Sequence, residues 1–257
     1  MDNPVYENSA FIPFDQTNNV KELAEGLSFS LGGEPHPLCL LAVSQLQDHL
    51  QHQQKWVHNF GLDTLMEGMV VGKMFGVLVV REKGGTLGYL AAFSGKLAGE
   101  NHHEGFVPPI FDGLVAGGFL NAGMEELSMM NEKIRSMKLS GDNSVADELQ
   151  QLKLTRKNHS NALQYQIFDQ YHFLNRYGQS KSLIEAFKDT AAGKPPAGAG
   201  ECAAPKLLQY AFQQEMEPLA LAEFWWGLSP KSDHWKHGRF YPPCLEKCAP
   251  ILEHMLS

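Results

Sequence analysis

Two nearly continuous apolar runs, at 74–80 and 87–93, are the strongest pattern along the chain, and the turn signal Lys83-Gly84-Gly85 separates them. Apolar runs that flank a glycine-rich turn are typical of a β-hairpin. Because polar residues hardly interrupt either run, both faces of the hairpin should be buried. The pattern therefore predicts a central sheet that begins with this hairpin and has helices on both faces.

Helical periodicity appears on either side of the hairpin. Leucines recur near the helical period in "HPLCLLAVSQLQDHLQ" at 36–51, which predicts an amphipathic helix packed on the sheet. Toward the C-terminus the pattern indicates a helix at 203–214 and a strand at 218–227. A last helix should begin near Pro243.

A polar, methionine-rich segment at 124–176 predicts a helical hairpin, interrupted by "SGDNS" at 140–144. Its regularly spaced apolar residues are Leu127, Met130, Ile134, Met137, Val145, Leu149 and Leu152. They either pack on one another or offer a surface to a partner or to RNA. The whole pattern predicts an α/β fold, with one domain over residues 1–257 into which this helical hairpin is inserted.

Composition narrows the class of protein. The chain has 257 residues, of which 43% are hydrophobic and 19% charged, as in globular proteins. A net charge of −8 argues against broad electrostatic binding of nucleic acid, although a local basic patch is compatible with it. The sequence shows no signal peptide and no apolar run of the roughly 18 to 20 residues that a membrane span needs. We therefore expect a cytoplasmic protein, whose cysteines are thiols or metal ligands rather than disulfides.

The cysteines point to a metal site. Cys202 lies where a helix should begin, and Cys244 and Cys248, four residues apart, lie at the expected start of the last helix. Thiolates are preferred zinc ligands, and a helix N-terminus lowers the pKa of a nearby thiol. If both helices flank one strand, the three thiols converge and bind zinc. The alternatives are unrelated buried cysteines, a reactive thiol or a disulfide, and Cys39 is expected to be an ordinary buried thiol.

The order of these elements resembles the zinc-dependent nucleoside deaminase fold, in which the ligands lie in H/C-A-E and P-C-x-x-C motifs. The resemblance implies a cytidine-deaminase-like topology. Here "CAA" at 202–204 places Ala204 where the proton-transferring Glu should be, and "PCLEKC" at 243–248 has one additional residue. Glu201 or Glu223 would have to move the protons instead. Otherwise Glu201 favours the helix dipole, and Glu223 is a solvated or paired strand residue.

A longer resemblance extends over about residues 34–257 and concerns the N-terminal extension of certain bacterial RluA-type RNA pseudouridine synthases. The segments that carry it are "EPHPLCLLAVSQLQ", "GKMFGVLVV", "GYLAAFSGKLAG", "FVPPIFD", "GECAAPKLLQYAF", "LALAEFWWG" and "YPPCLEKCAPILEHML". Synthases of that type use an Asp in an Arg-Leu-Asp context, which this sequence lacks. The resemblance therefore implies an accessory module of RNA modification, with RNA or a pseudouridine synthase catalytic domain as partner.

Aromatic and basic residues mark the best nucleic-acid candidate in this acidic chain. Trp225 and Trp226 are adjacent on the predicted strand, so their rings should point to opposite faces of the sheet. Each ring either packs in the core or stacks on a base of single-stranded RNA. The segment at 229–243 interleaves further basic and aromatic residues, namely Lys231, His234, Trp235, Lys236, His237 and Arg239. It is either an RNA-binding loop or a solvated one.

Three further residues are candidates for contacts with substrate. His36 lies between two prolines, Asn59 follows His58 in "WVHNFG", and Lys73 stands at a strand entrance, where it could meet a phosphate or carboxylate. Each has a structural alternative, which for Lys73 is a surface lysine.

Three functions therefore remain open: the accessory zinc module of RNA modification, a zinc-dependent deaminase or hydrolase that acts on a nucleoside or nucleic-acid base, and a metal-free protein-interaction domain. Four protein ligands on zinc would indicate a structural site, and water in the fourth position a catalytic one.

Overall fold

The computed structural model describes residues 10–16, 18–140 and 143–257 of the chain. Its main sheet has the strand order β1-β3-β2-β6-β7, with every neighbouring pair antiparallel, and β4 and β5 form a separate two-stranded sheet. The strands are β1 (Ile12–Pro13), β2 (Lys73–Arg81), β3 (Leu87–Phe93), β4 (His172–Leu174), β5 (Ser180–Ser182), β6 (Glu217–Trp226) and β7 (Phe240–Tyr241).

Helices cover both faces of the main sheet, so the expected combination of a central sheet and flanking helices is confirmed. The helices are α1 (Asn18–Ala24), α2 (Pro37–His52), α3 (Phe119–Ser140), α4 (Ala146–Asp169), α5 (Leu183–Phe187), α6 (Ala203–Gln213) and α7 (Ala249–Leu256), with a 3-10 turn at Asn143–Val145. None of the helices in the described part of the chain is long and apolar enough to cross a membrane.

Two hydrophobic cores lie on opposite faces of β2. Phe75 and Val77 point toward α2, whereas Leu78 and Val80 point toward α6 and α7, as the alternation of side chains along a strand requires. Both faces of β2 are therefore buried among apolar residues, which explains the uninterrupted apolar run in the sequence. Cys39 is fully buried in the α2 core, as expected.

The predicted helical hairpin is formed by α3 and α4, which contact each other along their length. Leu127 is buried, whereas the other apolar residues that share its spacing are only partly covered. Part of the predicted break, at 141–142, lies outside the described residues. The helix does not continue to residue 176 as predicted, because Tyr171 and Phe173 leave α4 to enter the α6 core, and β4 forms there instead.

The last helix begins later than the sequence indicated. Pro250 stands in the first turn of α7, where its missing N–H costs nothing, and the helix starts at Ala249 rather than near Pro243. The residues before it form a turn closed by a hydrogen bond of 3.1 Å from Cys248 N to Cys244 O. Cys244 and Cys248 therefore do not lie on one face of α7.

Candidate functional site

The N-termini of α6 and α7 lie close together and bring two thiols into contact. Cys202 immediately precedes α6, Cys248 immediately precedes α7, and their side chains share a hydrogen bond. The approach of α6 to the sheet depends on Gly76 in β2, because a Cβ there would lie only 3.0 Å from the Cβ of Ala203. Residues distant in the sequence thus form a thiol pair on the α6 side of the sheet.

The two thiols differ in acidity. The hydrogen bond from Cys248 lowers the pKa of Cys202, and the same bond, together with burial, raises the pKa of Cys248. Cys202 is therefore the sulfur that ionises first, and Cys248 is the thiol that donates to it. A thiolate held in this way is a metal ligand and a nucleophile.

Glu223 is a buried acid in β6, on the face that supports α6. Only 4% of its surface is exposed, and its Oε1 accepts a hydrogen bond of 3.0 Å from the backbone N–H of Ala204. Burial raises the pKa of Glu223 to about 7. Its charge also raises the pKa of both Cys202 and Cys248, so it lies within electrostatic reach of the thiol pair.

Two roles are compatible with this position of Glu223. The side chain of Cys202 makes no capping bond at the start of α6, so Glu223 satisfies a helix N–H that would otherwise be unpaired. A carboxyl group with a pKa close to neutral is also suited to taking up and releasing a proton.

Cys244, the third predicted metal ligand, lies outside the thiol pair. Its side chain is exposed, and its Sγ accepts a hydrogen bond of 3.4 Å from Lys247 N. Its charge still raises the pKa of Cys248, because both belong to the same turn. Within the described residues no three His, Cys, Asp or Glu side chains are arranged to hold a metal. Two of the three predicted metal ligands, Cys202 and Cys248, therefore lie together, and Cys244 lies apart from them.

Glu201 immediately precedes Cys202 in the sequence, but its carboxylate contacts Tyr171 and not the thiol pair. It is exposed, and its Oε1 accepts a hydrogen bond of 3.3 Å from the hydroxyl of Tyr171. Its carboxylate raises the pKa of Lys73 and Lys206, against the larger lowering that burial causes in each. Glu201 is therefore part of a charged cluster with these two lysines.

The backbone before Cys202 requires glycine at Gly200, which has φ of +90° and where an added Cβ would lie 2.7 Å from the ring of Tyr171. We expect Gly200→Ala to lower the free energy of unfolding by about 2 kcal/mol, because an added Cβ meets both the left-handed backbone and the ring. Gly178 has φ of +76° and no atom within 4 Å of an added Cβ. Gly178→Ala should therefore cost only about 1 kcal/mol. Urea unfolding measures both values, and equal losses would contradict a clash between the added Cβ and the ring of Tyr171.

The loop at 229–243 is exposed and organised by aromatic contacts. Trp235 stacks on Trp225 with ring centroids 5.3 Å apart, and Tyr241 packs edge-on against Trp235 at 4.7 Å. The Tyr241 hydroxyl donates to the carbonyl of His234 at 2.7 Å and accepts from Lys236 N at 2.8 Å. The exposed basic side chains are Lys231, His234, Lys236, His237 and Arg239.

The two adjacent tryptophans have different environments. Trp226 is 3% exposed and belongs to the α2 core, so it has no free face for a base. Trp225 is partly buried, and Trp235 covers one face of its indole. Trp235 and the basic residues are therefore the accessible part of this surface.

The remaining candidates do not join the thiol pair. The ring of His36 caps α2 by accepting a hydrogen bond from Leu38 N, on the opposite side of the sheet. The amide of Asn59 donates to three consecutive carbonyls at 66–68 and organises that loop. Lys73 is partly buried, and burial lowers its pKa.

Sequence reasoning missed Lys206 and Gln209, two buried polar residues on α6. The signal was their position inside the otherwise apolar segment "CAAPKLLQYAF", where a polar side chain needs a partner or a cavity. Comparison of the chain with protein-family models, with curated proteins and with solved structures finds no match.

Proposed function

We propose that the protein is an accessory zinc-binding module of RNA modification. The observation that carries the proposal is the contact between Cys202 and Cys248 at the start of two helices that are distant in the sequence. A thiolate paired with a second thiol, next to helix N-termini, is the kind of environment that zinc ligation requires. Cys244, in the turn that leads to Cys248, is the natural third ligand.

Zinc bound in this way would tie the starts of α6 and α7 to each other. The metal supplies folding free energy in structural sites, and as a Lewis acid it lowers the pKa of coordinated water in open ones. With protein ligands limited to three cysteines, the chain offers Glu223 as the neighbouring group that holds or releases a proton.

The loop at 229–243 supports a role with RNA, because it leads from β6 directly into the turn of Cys244. Tyr241 in β7 pairs with Glu223 in β6, so the loop is anchored beside the thiol pair. Its exposed cations lie on a chain whose net charge is −8, which makes this a local basic surface on an acidic protein. Trp235 adds an aromatic ring of the kind on which single-stranded bases stack.

The resemblance to the extension of RluA-type synthases implies that the partner is RNA or a pseudouridine synthase catalytic domain. It includes the segments that form β2, α6, β6 and the Cys244 turn, and these are the elements that build the candidate site. The absence of an Arg-Leu-Asp sequence means that the isomerisation itself would belong to a separate catalytic domain.

An RNA-binding measurement tests the proposal. We expect the triple variant Lys231→Ala, Lys236→Ala, Arg239→Ala to bind single-stranded RNA at least about tenfold more weakly than the wild type. The slope of the logarithm of affinity against the logarithm of salt concentration should also fall in magnitude by about 2. Fluorescence anisotropy at several salt concentrations measures both quantities. The matched control neutralises three exposed lysines of the helical hairpin, Lys138, Lys153 and Lys157. If the control weakens binding and the loop variant does not, the loop is not the RNA surface.

A second candidate function is a zinc-dependent deaminase or hydrolase, and the position of Glu223 favours it. The resemblance to nucleoside deaminases places the proton-transferring Glu at position 204, which is Ala here. The Glu223 carboxylate reaches this same position from β6, since it binds the N–H of Ala204. Zinc-loaded protein that releases ammonia from a nucleoside or from RNA, with loss of the activity in Glu223→Gln, would support this function over the accessory one.

A further inference from the structure

One face of α6 is polar and lines a cleft instead of packing on the sheet. The polar residues recur with helical spacing at Lys206, Gln209, Tyr210 and Gln213. They form one wall of a cleft of 430 Å³ beneath the segment at 108–115. A volume between about 300 and 1,000 Å³ is typical of sites for small molecules.

Lys206 is the most unusual residue of this wall. It is only 4% exposed, and among the described residues its ammonium group has no hydrogen bond and no ion pair. Its nearest distinctive contact is the ring of Phe93, with Nζ 4.5 Å from the centroid. Burial lowers the pKa of Lys206 to about 8, although the nearby charges of Glu201 and Cys202 act in the opposite direction. A buried cation without a direct ion pair or hydrogen bond is costly unless a ligand supplies one.

Gln209 presents a second donor to the same cleft. It is 6% exposed, and its Oε1 accepts a hydrogen bond of 2.9 Å from Leu174 N. This bond fixes the orientation of the amide and leaves its NH2 group without a hydrogen bond to any described residue. Lys206 and Gln209 are one helical turn apart, so both donors face the cleft from the same side.

The acids at the cleft already have hydrogen-bond partners, and Asp112 and its partner His102 both line the cleft. Asp112 accepts hydrogen bonds of 2.7 Å from Asn101 and 2.8 Å from His102, and one from Leu114 N. Glu201, in the smaller cavity of 80 Å³ that Lys206 also lines, binds the hydroxyl of Tyr171. No carboxylate of the described chain therefore forms an ion pair with Lys206. Glu201 acts on Lys206 only at longer range, by raising its pKa against the larger effect of burial.

The opposite wall is apolar. Pro109, Ile110 and Phe111 line the large cleft and the small cavity alike, so Lys206 and this wall face each other across both spaces. Phe111 is held between Phe119, stacked at 6.0 Å, and Tyr171, edge-on at 5.9 Å. The wall is thus a fixed apolar surface opposite a pair of hydrogen-bond donors.

We propose that this cleft binds a small organic anion, whose acid group contacts Lys206 Nζ and the Gln209 amide and whose apolar body lies against Pro109, Ile110 and Phe111. Carboxylate and phosphate share the required chemistry, because each accepts hydrogen bonds and carries negative charge. The proposal does not depend on zinc, and it adds a site to the protein whether or not the thiol pair binds a metal.

Isothermal titration with three aromatic probes tests the site: phenyl phosphate, benzoate and the neutral benzyl alcohol. We expect at least one anion to bind the wild-type protein and Lys206→Met to bind it at least tenfold more weakly, whereas benzyl alcohol binds weakly and equally to both. The comparison of phenyl phosphate with benzoate identifies the preferred acid group. Lys153→Met removes an exposed lysine of α4 and should leave every affinity unchanged.

Two further readouts keep the result independent of any change in folding. The preferred anion should protect Lys206 from reductive methylation, detected by peptide mass spectrometry, and should leave Lys153 unprotected. Gln209→Leu should also weaken the anion. Equal affinity in wild type and Lys206→Met, or no saturation by either anion up to about 10 mM, would overturn the proposal.

Discussion

Cys248→Ala is expected to reduce bound zinc from about one ion per chain to a trace, which is the largest effect that the proposed metal site predicts. Cys248 has no exposed surface, and its thiol donates a hydrogen bond to Cys202, so no other described thiol can replace it. Cys202→Ala should have the same result, because it removes the sulfur that ionises first. Elemental analysis of protein purified without chelator measures the zinc content.

Cys39→Ala is the matched control. Cys39 is as deeply buried as Cys248 but belongs to the core on the opposite face of the sheet, so its loss should leave the zinc content unchanged.

Cys244→Ala tests whether Cys244 is the third zinc ligand. Complete loss of zinc identifies Cys244 as the third ligand, whereas retained zinc would direct the search to Glu223.

A wild-type protein that contains no zinc would refute the metal site. The deaminase or hydrolase function would be refuted with it, and a metal-free interaction domain would be favoured. The test of the anion cleft would still stand, since Lys206 and Gln209 are not among the proposed zinc ligands.

Lys206→Met is expected to raise the free energy of unfolding by about 3 kcal/mol at pH 7, if each tenfold change in proton affinity is counted as ~1.4 kcal/mol. The pKa of Lys206 falls from an ordinary value of 10.5 to about 8 on folding, because burial disfavours the charged amine. Below pH 8 the amine is protonated in both the folded and the unfolded protein, so the folded wild type bears the full cost of the buried charge. Methionine has a similar length and no charge.

The pH dependence provides the sharper test. Between pH 8 and 10.5 the unfolded chain binds more protons at Lys206 than the folded chain, so the wild type gains stability as pH rises. The advantage of Lys206→Met should therefore shrink across this interval. Urea unfolding of both proteins from pH 7 to 10 measures the difference, and Lys153→Met should match the wild type throughout. A constant or growing advantage would contradict a buried, charged Lys206.

Local sequence patterns were sufficient for the main elements. The hairpin β2–β3, α2, α6 and β6 were all predicted within a few residues, because apolar periodicity and turn residues act over short distances. The start of α7 and the end of α4 were wrong. Pro250 sets the first turn of α7 locally, a signal that Pro243 obscured. The end of α4 was decided by tertiary contacts, because the α6 core draws Tyr171 and Phe173 into β4 and its approach.

The candidate site was predictable only in part. The sequence indicated that Cys202 and the Cys244–Cys248 pair stand near helix starts, and it named Glu223 as one of two possible proton carriers. It could not show that Glu223 reaches Ala204 while Glu201 turns toward Tyr171, because this depends on how α6 docks over Gly76. Nor could it show that Lys206 and Gln209 are buried beside a cleft.

The sequence by itself determined the buried sheet, its helices and the supply of thiols and basic residues, because these depend on composition and on periodicity along the chain. The tertiary structure alone decided which of these groups meet. It joined Cys202 to Cys248, left Cys244 exposed and placed Lys206, which has no direct ion pair, opposite an apolar wall. The physical reason is that burial and pairing arise where distant segments pack, and burial and pairing set the charge and reactivity of each side chain.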